Sequence, residues 1–199
     1  MAMAMARVQA TGMGSMSSPA NAPRETQSRA LTFDEARRWA RVGVLAALAL
    51  VFGYIETFIP LPVPVPGVKL GLANIVVLVA LVVLDVRSAA VVALVKVLAA
   101  GFLFGNPLMM LYSLGGTVLA FAAMAGLTRI RGISLVLVAI AGAILHNVGQ
   151  LAVASVVLGT PAVWASAPLL MVAACATGAL SGAAARYTVN ALQDERRPS

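Results

Sequence analysis

Several ionisable and amide side chains lie inside long apolar segments of this chain, where each needs a physical reason. Glu56 and Lys96 are flanked by aliphatic residues, and His146, Asn147 and Gln150 cluster within one apolar run. His146 and Gln150 are four positions apart, which places them on one face of a helix. An ionisable side chain at membrane depth costs about 2.5–3.5 kcal/mol on insertion scales. These residues therefore indicate either a functional site or structural pairing.

Three further polar residues fall near the predicted outer ends of apolar segments, namely Lys69, Asn74 and Asn106. Together the two groups predict a polar cavity that opens outward, narrows inward and captures a small polar or amphiphilic solute. Its expected lining residues are Glu56, Lys69, Asn74, Lys96, Asn106, His146, Asn147 and Gln150. The alternative is structural: Glu56 and Lys96 form an ion pair, and the cluster around His146 makes hydrogen bonds between helices.

The same residues do not predict catalysis or metal binding. His146 is the only histidine and Cys175 the only cysteine, so neither a metal site nor a general acid–base pair is indicated. No glycine-rich phosphate loop precedes a helix, and no pair of aspartate-rich motifs is present to hold magnesium-bound diphosphate. We expect a protein that has no cofactor and is not an enzyme on its own.

The composition requires a bilayer as solvent, since 61% of the residues are hydrophobic, 11% are charged and the mean hydropathy is +0.95. We expect an all-α membrane protein, a bundle of six transmembrane helices of about 20 residues each. The predicted spans are Val42–Ile59, Leu70–Leu84, Ser88–Phe104, Leu108–Leu127, Ile133–Leu158 and Trp164–Tyr187. The predicted domains are a disordered cytoplasmic tail at 1–33, the transmembrane domain at 34–192, and a second cytoplasmic tail at 193–199.

The cations predict an orientation. With six spans, every Lys and Arg of the 14 except Lys69 and Lys96 falls on one side of the membrane. Cytoplasmic flanks carry this excess, so both termini are predicted to be cytoplasmic in a multi-pass protein of the inner (plasma) membrane. The net charge of +7 does not indicate a nucleic-acid partner, because the basic residues lie in short loops and contact with membrane lipid explains them.

Two further sequence features are a proline-rich connector and a run of small residues in the first span. The connector Pro60–Lys69 has prolines at alternate positions from Pro60 to Pro66, which favours an extended strap rather than a helix. Ala40, Gly43 and Ala47 are small residues spaced for close helix approach. That spacing fits packing within the bundle or a docking face for a partner membrane subunit.

From Glu56 through Ile59-Pro-Leu-Pro62 to the run PGVKLGLAN that ends at Asn74, the chain resembles a known bacterial family. It is similar to the membrane proteins called heptaprenyl diphosphate synthase component I, or the Gx transporter family. The resemblance covers about Arg41 to Leu192, and the strap with PGVKLGLAN is its most specific part. Asn106-Pro107 and His146-Asn147 with Gln150 also look like family positions.

The resemblance implies a six-helix protein similar to the substrate-binding S-components of energy-coupling-factor transporters. Such a subunit captures a vitamin or related solute beneath a lid formed by the loop after the first helix. It works with a separate transmembrane coupling subunit and cytoplasmic ATPases, which dock on small-residue faces such as that of Ala40, Gly43 and Ala47.

Two other functions remain open. The first is a membrane accessory protein for isoprenoid, quinone or flavin-linked electron transfer, which would have an apolar groove opening sideways. The second is a self-sufficient carrier, which would need a coupling acid deep in a span; Glu56 is expected to be too shallow for that role.

Overall fold

The computed structural model describes the backbone of residues 24–59 and 69–194 and the side chains of residues 32–59 and 69–192. Within these ranges the secondary structure is helical and contains no strand. The helices are α1 (Arg24–Glu56), α2 (Asn74–Val83), α3 (Val86–Phe104), α4 (Pro107–Leu127), α5 (Leu135–Leu158) and α6 (Ala167–Asp194). A short 3-10 helix, Pro161–Ser166, precedes α6. The proline strap at 60–68 and most of the predicted N-terminal tail lie outside the described residues, although α1 begins within that tail, at Arg24.

Five helices are long and apolar enough to cross a bilayer, and they confirm five of the predicted spans as helices. The predicted second span, Leu70–Leu84, is helical over a shorter range than expected, because α2 has only 10 residues. At 1.5 Å per residue it is about 15 Å long, roughly half the thickness of a hydrocarbon core. The residues before it, 69–73, are not helical.

Polar residues at the helix ends determine where α3, α4 and α5 begin. Asp85 accepts a hydrogen bond from Ser88 N (2.9 Å), and Asn106 accepts one from Met109 N (2.8 Å). Ser134 does the same for Val136 N at the start of α5. Each side chain satisfies a backbone donor that the first turn of a helix leaves without a partner. α5 ends at Gly159, whose φ of +64° is the left-handed conformation that suits glycine.

The contacts divide the chain into two units, residues 1–38 and 39–199. The described part of the first unit is the N-terminal section of α1. In the second unit α2 is the central element: seven of its ten residues are buried, and it packs against α3, α4, α5 and α6. Val42 and Ala49 of α1 belong to the same apolar core.

The outer surface of the second unit is apolar. Large hydrophobic side chains such as Phe102 and Val156 are more than 80% exposed. A water-soluble protein rarely leaves so many large apolar side chains uncovered, whereas lipid tails solvate them. The helices therefore contact membrane lipid.

Candidate functional site

The short segment that leads into α2, residues 69–73, is the centre of the candidate site. Gly71 has a φ of +85°, and two tight turns follow it: Asn74 N donates to Gly71 O (2.9 Å) and Ile75 N donates to Leu72 O (3.1 Å). Leu70 and Ala73 are buried, so this non-helical backbone runs inside the protein. Irregular backbone at membrane depth requires protein partners for its polar groups.

Gln150 and Glu56 supply these partners. The Gln150 side chain binds both backbone groups of Lys69: Lys69 N donates to Oε1 (2.9 Å), and Nε2 donates to Lys69 O (3.2 Å). Glu56 Oε1 accepts a hydrogen bond from Leu72 N (2.7 Å). Two of the predicted site residues therefore hold the backbone next to α2, from α5 and from the end of α1.

Lys96 of α3 contacts the first residue of α2. Its Nζ donates to Asn74 Oδ1 (2.7 Å), and both side chains are buried. Because an ammonium group only donates hydrogen bonds, this contact fixes the orientation of the Asn74 amide. Asn74 Nδ2 is consequently turned toward Gly71 and has no hydrogen-bond acceptor among the described residues.

His146 of α5 lies against the same segment. A Cβ placed on Gly71 would be 3.0 Å from His146 Cδ2, and one on Gly116 of α4 would be 2.8 Å from His146 Nδ1. His146 is buried, and its Nδ1 makes no hydrogen bond of ordinary geometry among the described residues. Glycine at both positions therefore lets two backbone segments approach the imidazole from opposite edges.

Six predicted site residues thus meet around residues 69–74, and two do not. The six are Glu56, Lys69, Asn74, Lys96, His146 and Gln150. Asn147 faces α6 instead, where its Nδ2 donates to Leu170 O (2.9 Å). Asn106 is exposed and caps α4. Neither contact joins the group around α2.

A small cavity lies next to this group, between α2, α4, α5 and α6. Gly71 and Asn74 line one side, and Thr177 and Ser181 of α6 line another. It has room for about one water molecule. The sequence patterns did not identify Gly71, Thr177 or Ser181 as part of this region. The second glycine of PGVKLGLAN, Gly71, was the one available signal for the turn.

The predicted docking residues lie apart from this region. Ala40, Gly43 and Ala47 are all exposed on α1, and a Cβ placed on Gly43 would meet no atom within 4 Å.

Among the described residues no three His, Cys, Asp or Glu side chains are grouped closely enough to hold a metal ion.

Comparison with known proteins adds one finding. A family model described as heptaprenyl diphosphate synthase component I matches residues 45–188. The matched range includes all eight predicted site residues and, of the predicted docking residues, Ala47. No curated protein and no solved structure matches the chain.

Proposed function

The chain belongs to the heptaprenyl diphosphate synthase component I family, and we propose that it is a membrane-embedded solute-binding subunit for uptake. In this proposal it captures a small vitamin-like or isoprenoid- or flavin-related solute and performs no catalysis itself. It works with a separate coupling subunit and cytoplasmic ATPases in the plasma membrane, with six crossings and both termini cytoplasmic.

The observation that carries this proposal is the meeting of six polar residues at the start of a half-length helix. Transport sites in membranes are commonly built from discontinuous helices whose ends lie near the bilayer midplane. α2 is such a half-length helix. If its C-terminal end, next to Asp85 and Arg87, lies at the membrane surface, its first residue Asn74 lies about 15 Å below that surface. Buried hydrophilic side chains, among them Lys96 and His146, lie close to Asn74, as capture of a polar solute requires.

We propose the strap as the cover of this site because of its position in the sequence. Residues 60–68 connect the end of α1 with Lys69, whose backbone is held by Gln150. In this proposal, a solute that reaches Asn74 from outside passes the segment that Gln150 and Glu56 bind. Release of three hydrogen bonds, two at Lys69 and one at Leu72, would free this segment.

The exposed face of Ala40, Gly43 and Ala47 supports a partner subunit. In a membrane, close approach of small residues drives helix association, because lipid tails are as apolar as the helices themselves. Since Gly43 has open space around it, the face is not used for packing by the described residues. We assign it to the coupling subunit.

The family name supports a second candidate, an accessory subunit of a prenyl diphosphate synthase. That function predicts a soluble prenyl-transferring partner instead of ATPases. Affinity purification from membranes of the native host, followed by protein mass spectrometry, separates the two: coupling and ATPase subunits support uptake, and a prenyl synthase subunit contradicts it.

Solute capture is tested with Asn74→Ala and His146→Ala, compared with Asn190→Ala at an exposed position on α6. We expect both site variants to insert normally but to lose the small molecule that co-purifies with the unmodified protein in detergent. Mass spectrometry of the extracted small molecules gives the readout. Equal loss of folded protein in both site variants would instead support a purely structural role for these residues.

A further inference from the structure

The charged side chains around α2 carry more positive than negative charge. Lys96 and Lys69 both lie within electrostatic range of Glu56, the one carboxylate of this group. Lys96 is 4% exposed and Glu56 is 7% exposed, whereas Lys69 is half-buried. The site therefore contains two cations and one anion.

Glu56 and Lys96 do not pair directly in the described structure. The Glu56 carboxylate accepts a hydrogen bond from Leu72 N, and Lys96 donates to the neutral amide of Asn74. A buried charge is costly unless it is paired and hydrogen-bonded. Lys96 thus has a hydrogen bond but no contacting counter-charge among the described residues.

Within residues 39–59 and 69–192, the described part of the second unit, the other carboxylate is that of Asp85. Asp85, at the opposite end of α2, caps α3 through Ser88. The strap at 60–68 contains only proline, leucine, valine and glycine. The remaining acids precede the apolar part of α1 or follow that of α6, namely Glu25, Asp34, Glu35, Asp194 and Glu195. The surplus positive charge is therefore a property of the site itself.

A separate observation concerns a buried hydrogen-bond donor of the same group. Asn74 Nδ2 is buried, its orientation is fixed by Lys96, and no acceptor is present for it among the described residues. Leaving a buried donor unpaired costs about 1–3 kcal/mol, so such groups need an explanation. This donor faces Gly71, on the side from which α2 begins.

Building on the solute-binding function proposed above, we propose that the captured solute carries an anionic oxygen group, a carboxylate or a phosphate, bound at the start of α2. Its oxygen accepts from Asn74 Nδ2, and its charge offsets the surplus of Lys96 and Lys69. A neutral solute could accept the hydrogen bond from Asn74 Nδ2 but would leave the surplus positive charge without a counter-charge. A cationic solute would add to the repulsion. Anionic oxygens also form stronger hydrogen bonds with cations than neutral acceptors do.

The first test uses the intact protein in phosphatidylcholine nanodiscs and two pairs of probes that differ in charge, riboflavin with its monophosphate and pantothenol with pantothenate. Native mass spectrometry also identifies any molecule retained from the cell. We expect a retained anion, or a higher unfolding temperature with an anionic probe than with its neutral partner. In Lys96→Met and Lys69→Gln, the affinity for this anion should fall about 10- to 100-fold, the range of one charge-assisted hydrogen bond. Lys69→Arg, which keeps the positive charge, should retain the affinity.

The second test, Asn74→Asp, introduces a carboxylate at the position where the proposal places the anionic group of the solute. The new carboxylate lies beside Lys96, so the empty variant should unfold at a higher temperature than the unmodified protein and bind no anion. Asn147→Asp is the matched control, because Asn147 is buried on α5 and its amide donates to Leu170 O instead of accepting from a lysine. It should lower the unfolding temperature. If Asn74→Asp is destabilised to the same extent, the charge surplus does not exist and the proposal fails.

The other outcomes are distinct. A neutral retained molecule, or anion binding unchanged by both lysine variants, overturns the anionic solute and leaves solute capture intact. Complete absence of a retained molecule and of any probe response overturns solute capture itself. Stabilisation that appears only when phosphatidylglycerol is added to the nanodisc assigns the anionic group to a lipid headgroup and contradicts a solute.

Discussion

Individual side chains in this protein mainly bind backbone. Gln150 binds both polar groups of Lys69, and Glu56 binds Leu72 N. This is the behaviour required where a chain is non-helical inside a membrane, because an unsatisfied backbone group there costs several kcal/mol. Asn74 differs, since it contacts a buried cation and retains an unpaired donor. Glu56 and Gln150 therefore stabilise backbone, whereas Asn74 offers the donor that the proposed site uses.

Gly71→Ala tests the turn before α2 at the level of one methyl group. A Cβ at this position would lie 2.9 Å from Asn74 Nδ2 and 3.0 Å from His146 Cδ2, and the φ of +85° adds strain. Gly132→Ala has a similar φ, +81°, but meets no atom within 4 Å. We expect about 1–2 kcal/mol of destabilisation at Gly132 and about 1–3 kcal/mol more at Gly71.

Denaturant unfolding in detergent measures both variants. The Gly71 variant should also lose solute binding, because its methyl group displaces Asn74 and His146. Equal stability losses in the two variants would mean that the space around Gly71 is not restricted.

The helices differ in how they contribute to the site. α2 is short and central, and its first residue meets Lys96. α5 carries His146 and Gln150 and packs between α4 and α6. A Cβ on Gly149 would lie 2.5 Å from Gly115 O of α4, and one on Gly182 of α6 would lie 2.5 Å from Val136 Cα of α5. Gly149 and Gly182 therefore determine how closely α4 and α6 approach α5, the helix that carries Gln150.

Gly149→Ala tests the contact between α4 and α5. The added methyl group meets backbone atoms, which cannot rotate away, so we expect destabilisation of about 1–3 kcal/mol. Solute binding should also weaken, because His146 and Gln150 shift with α5. Gly126→Ala on α4 is the control, since a Cβ there meets nothing within 4 Å. Alanine is the better helix former by about 1 kcal/mol, so this variant should be neutral or more stable. Loss of stability in both would argue against a specific contact.

Gly43→Leu tests the exposed face of α1. Because nothing lies within 4 Å of its Cβ position, the variant should fold and bind solute as the unmodified protein does. Co-purification of the coupling subunit should fall at least about tenfold, since the bulky side chain prevents close helix approach. Gly126→Leu, at an equally open and exposed position on α4, should retain the partner. Retention by both variants would place the docking surface elsewhere.

The proposed orientation is a property of the whole molecule. Arg41 lies in α1, Arg87 follows α2, Arg129 and Arg131 follow α4, and Arg186 lies in the last third of α6. These positions share one side only if the chain through 69–83 counts as a crossing, although α2 alone is half as long as a bilayer requires. In the proposed orientation, the short non-helical segment before α2 completes this crossing.

Cysteine labelling in intact cells tests this topology, in a Cys175→Ser background because Cys175 is exposed on α6. Asn106→Cys and Thr160→Cys, in the connections before α4 and after α5, should react with a membrane-impermeant maleimide. Arg87→Cys and Arg131→Cys should react only after the cells are opened. Labelling of Arg87→Cys from outside would mean that the chain through α2 does not cross.

The sequence determined the apolar helices and the family; the caps at Asp85, Asn106 and Ser134 were not predicted, although they are equally local. These depend on local composition and on spacing within a few residues, which hydropathy and capping preferences capture. It also identified Glu56, Asn74, Lys96, His146 and Gln150 as unusual, because polar groups in apolar runs are visible without coordinates.

Only the tertiary structure decided which polar residues meet. Gln150 binds Lys69, 81 positions away, while its neighbour Asn147 faces α6 and Asn106 only caps α4. It also decided that α2 begins at Asn74 and not near Leu70, because Glu56 and Gln150 stabilise non-helical backbone there. Such partners come from distant helices, and their approach depends on how glycine-lined faces pack, which local sequence spacing does not encode.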